Sequence, residues 1–232
     1  MSLLTTLMLH WRRLLNRQSI NYDGVTISTD PNLIPRSVRS ALFKERYEEH
    51  ERKLVRGLLG PGDRVLEIGA GIGFISVLCA RICGEGNVRS HEANLRLEPV
   101  IRRNYALNGI KPDLRMRAIT ADGQPVSFFR DDNIVSSSTL ERPRAAEKIT
   151  VESDPIDQAI DEHRANVIIM DVEGAETSLL TGSQLRGVKH IIVEVHPHIT
   201  GEEPVAAMSE SLIARGFDLK DRAHKTLVFS RA

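Results

Sequence analysis

The stretch Val65-Leu66-Glu67-Ile68-Gly69-Ala70-Gly71-Ile72-Gly73 constrains this chain more than any other. A short apolar run ends in three alternating glycines and opens into the helical pattern Ile72–Cys83. Glycine takes positive φ and lets another backbone or a ligand come close. The helix that follows offers free N–H groups at its start. Beyond it, Asn87–Glu92 reads as a strand, Leu95–Leu107 as a helix stopped by Asn108-Gly109, and Leu114–Ile119 as a strand. That alternation predicts a mostly parallel sheet with helices on both faces.

The rhythm breaks over Asp122–Ser153, where Asp122-Gly123, Asp131-Asp132 and Ser136-Ser137-Ser138 cluster. A hairpin or an excursion over one end of the sheet is expected there. Ser127–Ser138 is the candidate lid or acceptor loop, since functional residues concentrate on loops over a rigid sheet. The α/β pattern then resumes with Pro155–Glu162 (helix), Asn166–Asp171 (strand), Ala175–Thr181 (helix), His190–Val195 (strand) and Pro204–Ala214 (helix). Phe217–Asp221 and Thr226–Ser230 predict a terminal antiparallel pair. Upstream, residues 20–36 are turn-rich, and one helix is expected from Ser37 to Leu59, with Glu48/Arg52 and Glu49/Lys53 as i,i+4 pairs on its wet face. The domain reading is 1–56 as an N-terminal helical extension and cap, and 57–232 as the ligand-binding α/β domain.

Composition narrows the function classes. Formal net charge is zero and aromatic content 4%, so neither a basic footprint nor a base-stacking platform for nucleic acid is present. The cysteines, Cys79 and Cys83, lie on successive turns of one helix and read as core residues in a reducing cytoplasm. No run reaches the roughly 18 apolar residues of a membrane span. Leu3, Leu4, Leu7, Met8, Trp11, Leu14 and Leu15 form an apolar helical stripe with Arg12, Arg13 and Arg17 off it. Such a stripe packs on its own domain or on a second subunit, making a homo-oligomer, or lies as peripheral contact on a membrane surface; packing is the preferred reading.

Four places carry chemistry. The dinucleotide fingerprint would need glycine at 74, and that position is Phe74. Glu67, two residues before the first glycine, suits a ligand with an ammonium group, as on the methionine end of S-adenosylmethionine, and not a pyrophosphate. Glu92, at a strand end, can accept hydrogen bonds from both hydroxyls of a ribose. Asp171-Val172-Glu173-Gly174-Ala175-Glu176 follows an apolar strand where ligands bind in open α/β sheets; Asp171 and Glu173 are site candidates, and Glu176 reads as little more than a helix cap. Alternation after Ile191–Val195 puts Glu194, His196 and His198 on one side, and histidine accepts a proton near neutral pH.

Together these residues resemble the FkbM family of methyltransferases. Glu67–Gly73 is similar to the first motif of class I methyltransferases at large. The closer match is Asp171–Glu176 with Leu179-Leu180, joined to Ile192-Val193-Glu194-Val195-His196. Tyr47-Glu48, Glu51, Glu92-Ala93-Asn94, Asn104 and Leu107-Asn108-Gly109 also look like family positions, over about residues 20–230. Ala93 departs from the proline many members carry. The resemblance implies a Rossmann-like methyltransferase fold and O-methyl transfer from S-adenosylmethionine to a hydroxyl of a sugar or secondary metabolite. It implies that Glu67 and Gly69, Ala70, Gly71 and Gly73 hold the methionine end, that Glu92 with Ala93 takes the ribose, that the Ala118 N–H meets adenine, and that Asp171 borders the cofactor. His196, Asp171 and Glu173 are then the candidate bases, His196 favoured for its pKa. No metal is expected, although Asp171, Glu173, Glu194 and His196 could hold Mg²⁺ or Mn²⁺ as the rival arrangement.

An NAD-dependent oxidoreductase is the runner-up, opposed by Phe74 and Glu67. A non-catalytic interaction protein that kept the fold is a further rival, opposed by the retained acids Glu67, Glu92 and Asp171. The N-terminal stripe is tested by deleting residues 1–18 and measuring size in solution. Unchanged size removes dimerisation through this helix.

Overall fold

The computed structural model describes residues 12, 15, 17–129 and 148–232. In chain order the elements are β1 (Ser19–Tyr22), β2 (Val25–Ser28), α1 (Arg36–Phe43), α2 (Glu49–Leu58), β3 (Val65–Ile68), α3 (Phe74–Cys83), β4 (Val88–His91), α4 (Glu98–Leu107), β5 (Asp113–Arg115), β6 (Ala118–Thr120), β7 (Val126–Phe129), β8 (Lys148–Val151), β9 (Ser153–Pro155), α5 (Ile156–His163), β10 (Val167–Met170), α6 (Glu176–Gly182), β11 (His190–Glu194), α7 (Pro197–Thr200), α8 (Glu202–Ala214), β12 (Asp218–Ala223) and β13 (Thr226–Ser230).

A seven-stranded sheet runs β12-β13-β11-β10-β3-β4-β5. Strands β5, β4, β3, β10 and β11 are parallel, and β13 is antiparallel to both β11 and β12. This is the expected Rossmann-like α/β fold with its antiparallel C-terminal pair. The chain steps outward from β3 to β4 and β5, then returns to lay β10 on the other side of β3. Ligands bind in open α/β sheets at this reversal, outside the carboxyl ends of the strands.

Side-chain alternation explains the two layers. Val65 of β3 and Ile169 of β10 face a core built with Phe74, Leu78 and Ile101 and with Ile27, Leu42 and Val55 of the N-terminal segment. Leu66, Ile68, Ile168 and Met170 face the opposite core, with Ile160, Leu180, Leu212 and Phe217. Being covered on both faces, these strands read as continuous apolar runs. Among the described residues no helix is long and apolar enough to cross a membrane.

Three expectations are corrected. The single helix over 37–59 is two helices, because Glu45 and Glu48 take positive φ (59° and 47°). Arg52 turns inward to stitch this break: its guanidinium donates to the carbonyls of Glu45 (2.8 Å) and Tyr47 (3.0 Å) and pairs with Asp23. It is therefore buried and not on a wet face with Glu48; the Glu49–Lys53 pair does form, at 2.8 Å. The strand over 114–119 is also two. Only β5 joins the main sheet, while β6 pairs in parallel with β9, and between them Arg117 is held by Asp154 (2.6 Å) and the Ser153 carbonyl (2.7 Å).

The irregular segment holds the antiparallel pair β7–β8, in register Val126↔Val151. Most of the proposed Ser127–Ser138 loop lies outside the described residues, as does most of the N-terminal stripe. Arg12 is described: it donates to the Phe43 carbonyl at 2.8 Å and pairs with Glu45 at 2.6 Å.

Among the described glycines, Gly69 has the least room for a side chain. Its φ is 91°, and a Cβ there would stand 1.8 Å from the Asp171 carbonyl oxygen. Gly69→Ala therefore forces β3 and β10 apart. We expect a loss of about 3 kcal/mol or more, read as a fall in the urea midpoint; a wild-type midpoint contradicts this account.

Candidate active site

The site lies where β3, β4, β10 and β11 end. A cavity of about 410 Å³ is bordered by Gly69 and Gly71 of the glycine turn, Glu92 and Ala93 after β4, Ala118 of β6, and Asp171 and Glu173 after β10. A second cavity of about 30 Å³ lies beside it, against Glu48, Glu51, Glu67, Asp171 and Glu194.

Glu92 borders the larger cavity, at the end of β4. One carboxylate oxygen accepts from the Gly71 N–H (2.8 Å) and the other from the Asn94 N–H (2.7 Å). Each oxygen keeps a lone pair, so a diol in the cavity can be received by both. Burial above all pushes this carboxyl up to about 7, against the pull of the backbone N–H groups of Asn94, Gly71 and Ala93.

Other expected residues sit differently. Glu67 does not border the larger cavity; its carboxylate accepts from the Ser76 hydroxyl beneath the turn, and burial raises it to about 7. Ala70 faces the small cavity. Gly73 borders neither. A Cβ there would meet Ile101 at 3.1 Å and Tyr105 at 3.2 Å, so this glycine serves the packing of α3 on α4. Ala118 borders the larger cavity, but its N–H already donates to the Glu152 carbonyl at 2.9 Å. The adenine contact drawn through that N–H is therefore corrected.

The acidic end converges on His196. Its Nε2 stands 3.6 Å from Asp171 Oδ1, 3.6 Å from Glu173 Oε2 and 3.7 Å from Glu194 Oε1, and its Nδ1 is 3.4 Å from Glu176 Oε1. Among the described residues, ligand atoms of Asp171, Glu173 and His196 lie within 4.8 Å of one another. His196 is buried and stands behind the cavity wall, whereas Asp171 and Glu173 are on it. Burial lowers the imidazole pKa, but Glu176, Asp171 and Glu173 outweigh it and the net direction is upward. Asp171 is raised to about 7, by removal from water first and the Glu194 charge second, with His196 opposing. Its side chain nonetheless keeps 48% exposure through the open cavity, and that solvent access tempers the rise. His198 is exposed, its ring edge-on to His196 at 5.8 Å.

Sequence reasoning undervalued Glu176. It is fully buried, and its two oxygens accept from the N–H groups of Gly174 (2.7 Å) and His196 (2.9 Å). It thereby ties the turn after β10 to the turn after β11. The signal was an acid three residues after Glu173 whose partner lay 20 positions away. Tyr47 and Glu48 were also missed as parts of the wall. They come from the break between α1 and α2, which the helical reading hid.

The profile of the Methyltransferase FkbM domain matches residues 60–219. The chain belongs to this family. Its match spans the glycine turn, Glu92, the Asp171–Glu176 block and His196. No curated protein matches the chain. Solved structures of similar fold include TYW2 of M. jannaschii in complex with AdoMet (15% identity, 92% of this chain and 86% of that one, TM-score 0.48). They also include a ribosomal protein L11 methylase of Lactobacillus delbrueckii subsp. bulgaricus (14%, 81% and 80%, TM-score 0.47) and Trm5b of Pyrococcus abyssi (14%, 93% and 55%, TM-score 0.46).

Glu176 gives a pH-dependent test. Burial raises its carboxyl, but the surrounding hydrogen bonds outweigh that and hold it below the ordinary glutamate range. A depressed folded pKa stabilises fully above the unfolded value and loses that contribution as pH falls through the folded one. Glu176→Ala should cost about 2–3 kcal/mol at pH 7, with the gap to wild type closing below about pH 4. A gap that stays constant down to pH 3 contradicts the assignment.

Proposed function

We propose that this protein is an S-adenosylmethionine-dependent O-methyltransferase acting on a hydroxyl group of a sugar or secondary-metabolite acceptor. The observation that carries this reading is one cavity whose wall brings together Glu92, which could receive a diol, and the carboxylates of Asp171 and Glu173, which could accept a proton. Bound S-adenosylmethionine supplies an electrophilic methyl group on a sulfonium. Glu92 takes the ribose hydroxyls, and Gly71, which borders the cavity with no side chain, lets the ligand come close to the protein backbone.

An alcohol attacks poorly until its proton is removed. Asp171 is on the wall, and its pKa is shifted upward, toward neutrality, by burial and by the Glu194 charge, which suits proton transfer. His196, 3.6 Å behind it, offsets the charge that gathers on Asp171, Glu173 and Glu194. Glu176 holds His196 in place from the other side. The preference for His196 as the base thus moves to Asp171, with His196 supporting it. The acidic wall favours a neutral acceptor over a polyanion such as nucleic acid.

Calorimetric titration is the first test: micromolar binding of S-adenosylhomocysteine is expected, and none of NAD. A chain that binds neither is not a methyltransferase of this kind. Asp171→Asn and His196→Ala should each lower kcat on a hydroxylated acceptor by about 100-fold or more while leaving that binding intact. His196 lowers the Asp171 pKa, so the acid limb of kcat/KM should move to higher pH in His196→Ala. Full turnover in either variant sinks the base assignment. Activity should survive EDTA; its loss would favour a divalent cation on Asp171, Glu173 and His196.

A further inference from the structure

The methionine end of the proposed cofactor carries an ammonium group, and something in the site must receive it. Glu67 was the residue expected from sequence. Its carboxylate instead faces away from the larger cavity, satisfied by Ser76 beneath the glycine turn.

Glu48 has the opposite character. It borders both cavities. Its Oε1 lies 3.8 Å from the point where a Cβ on Gly71 would stand, and the Tyr47 hydroxyl lies 3.3 Å from that point. Its Oε2 is buried without a hydrogen-bond partner. A buried carboxylate oxygen left unpaired is costly. The cation nearest in sequence on its own helix, Arg52, is spent on Asp23 and the carbonyls of Glu45 and Tyr47. Burial first, and then chiefly the charges of Glu51, Asp171 and Glu67, all of its own sign, push the Glu48 carboxyl well up.

The backbone adds a second observation. Glu48 occupies the left-handed region at φ 47°, ψ 42°, and begins α2 from that conformation. A non-glycine residue pays roughly 1–2 kcal/mol to sit there. An α1–α2 helix continued without a break would forgo that cost, and would also leave Glu48 on the outer face with Arg52. The strain is what turns Tyr47 and Glu48 over the glycine turn. Such strain concentrates at ligand-holding positions.

We infer that Glu48, in place of Glu67, receives the ammonium group of the cofactor's methionine moiety, held over Gly71 by the break between α1 and α2. This rests on the cofactor reading above. The occupant is fixed by chemistry: a cation with N–H donors, small enough to stand between the glycine turn and α2, on the same ligand whose ribose reaches Glu92. Tyr47, hydrogen-bonded to Glu48, orients the carboxylate.

The test compares two ligands that share a nucleoside. S-adenosylhomocysteine has the amino-acid end, and 5′-methylthioadenosine lacks it. Both are titrated calorimetrically into the full chain, wild type and the variants Glu48→Gln and Glu67→Gln, with thermal melting as the folding check. Glu48→Gln should weaken S-adenosylhomocysteine by about 10- to 100-fold, the worth of one charged hydrogen bond, and leave 5′-methylthioadenosine within about twofold. Glu67→Gln should leave the ratio of the two affinities unchanged. If Glu48→Gln melts below working temperature, Glu48→Asp, which keeps the charge but shortens its reach, should show a smaller loss confined to S-adenosylhomocysteine. An unchanged ratio in Glu48→Gln or Glu48→Asp, or a changed ratio in Glu67→Gln alone, overturns the assignment. A wild type that binds neither ligand overturns the cofactor reading itself, an outcome distinct from a wild type that binds and a Glu48 variant that binds equally well.

Discussion

The approach of Gly69 to the Asp171 carbonyl is the constraint on which the rest of this structure depends. With no side chain at 69, the ends of β3 and β10 close to a distance that leaves no room for a Cβ. The adjoining backbone is bonded in the same place: the Gly69 and Ala70 N–H groups reach the His91 carbonyl at 2.9 and 3.1 Å, and the Asp171 N–H reaches Ile68 at 2.9 Å. Three strand ends are thereby fused into one floor. Glu92 after β4 and Asp171 after β10 stand on either side of β3.

A second tie works above that floor. Glu176 is removed from water and engaged by two backbone N–H groups from different turns. Low local dielectric makes such charged hydrogen bonds strong and their loss costly. His196 thus keeps its position among carboxylates that repel one another, and their charges favour its protonated form. Preorganisation of this sort lets a site hold several acids together without each one simply protonating.

Much of this was legible in the chain. Strand–helix alternation, the glycine turn and the C-terminal strand pair predicted the fold. Glu92 and Asp171 stand out in the sequence as acids at the ends of parallel strands, and the structure places both on the cavity wall. The errors share a cause. One helix was drawn from 37 to 59 because amphipathic periodicity continues through the break. Glu45 and Glu48 are ordinary helix formers, and nothing local in their identity marks positive φ. The break is imposed by Arg52 bonding the carbonyls of Glu45 and Tyr47, and by Asp23 from the β1–β2 turn. The break also carries Tyr47 and Glu48 into the wall, so missing one meant missing the other.

By itself, then, the sequence determined the layers and the switch point. Period and glycine placement are local properties, and they fix which residues stand at strand ends. Only the tertiary structure decided which carboxylates face which space. Glu67 and Glu48 have the same side chain, but one is turned into a hydroxyl beneath the glycine turn and the other over it. Glu176, read as a plain helix cap, became a buried clamp because the N–H group of His196 came to it from 20 residues away. Direction, burial and partner are set by contacts between distant segments, and no spacing within one segment encodes them.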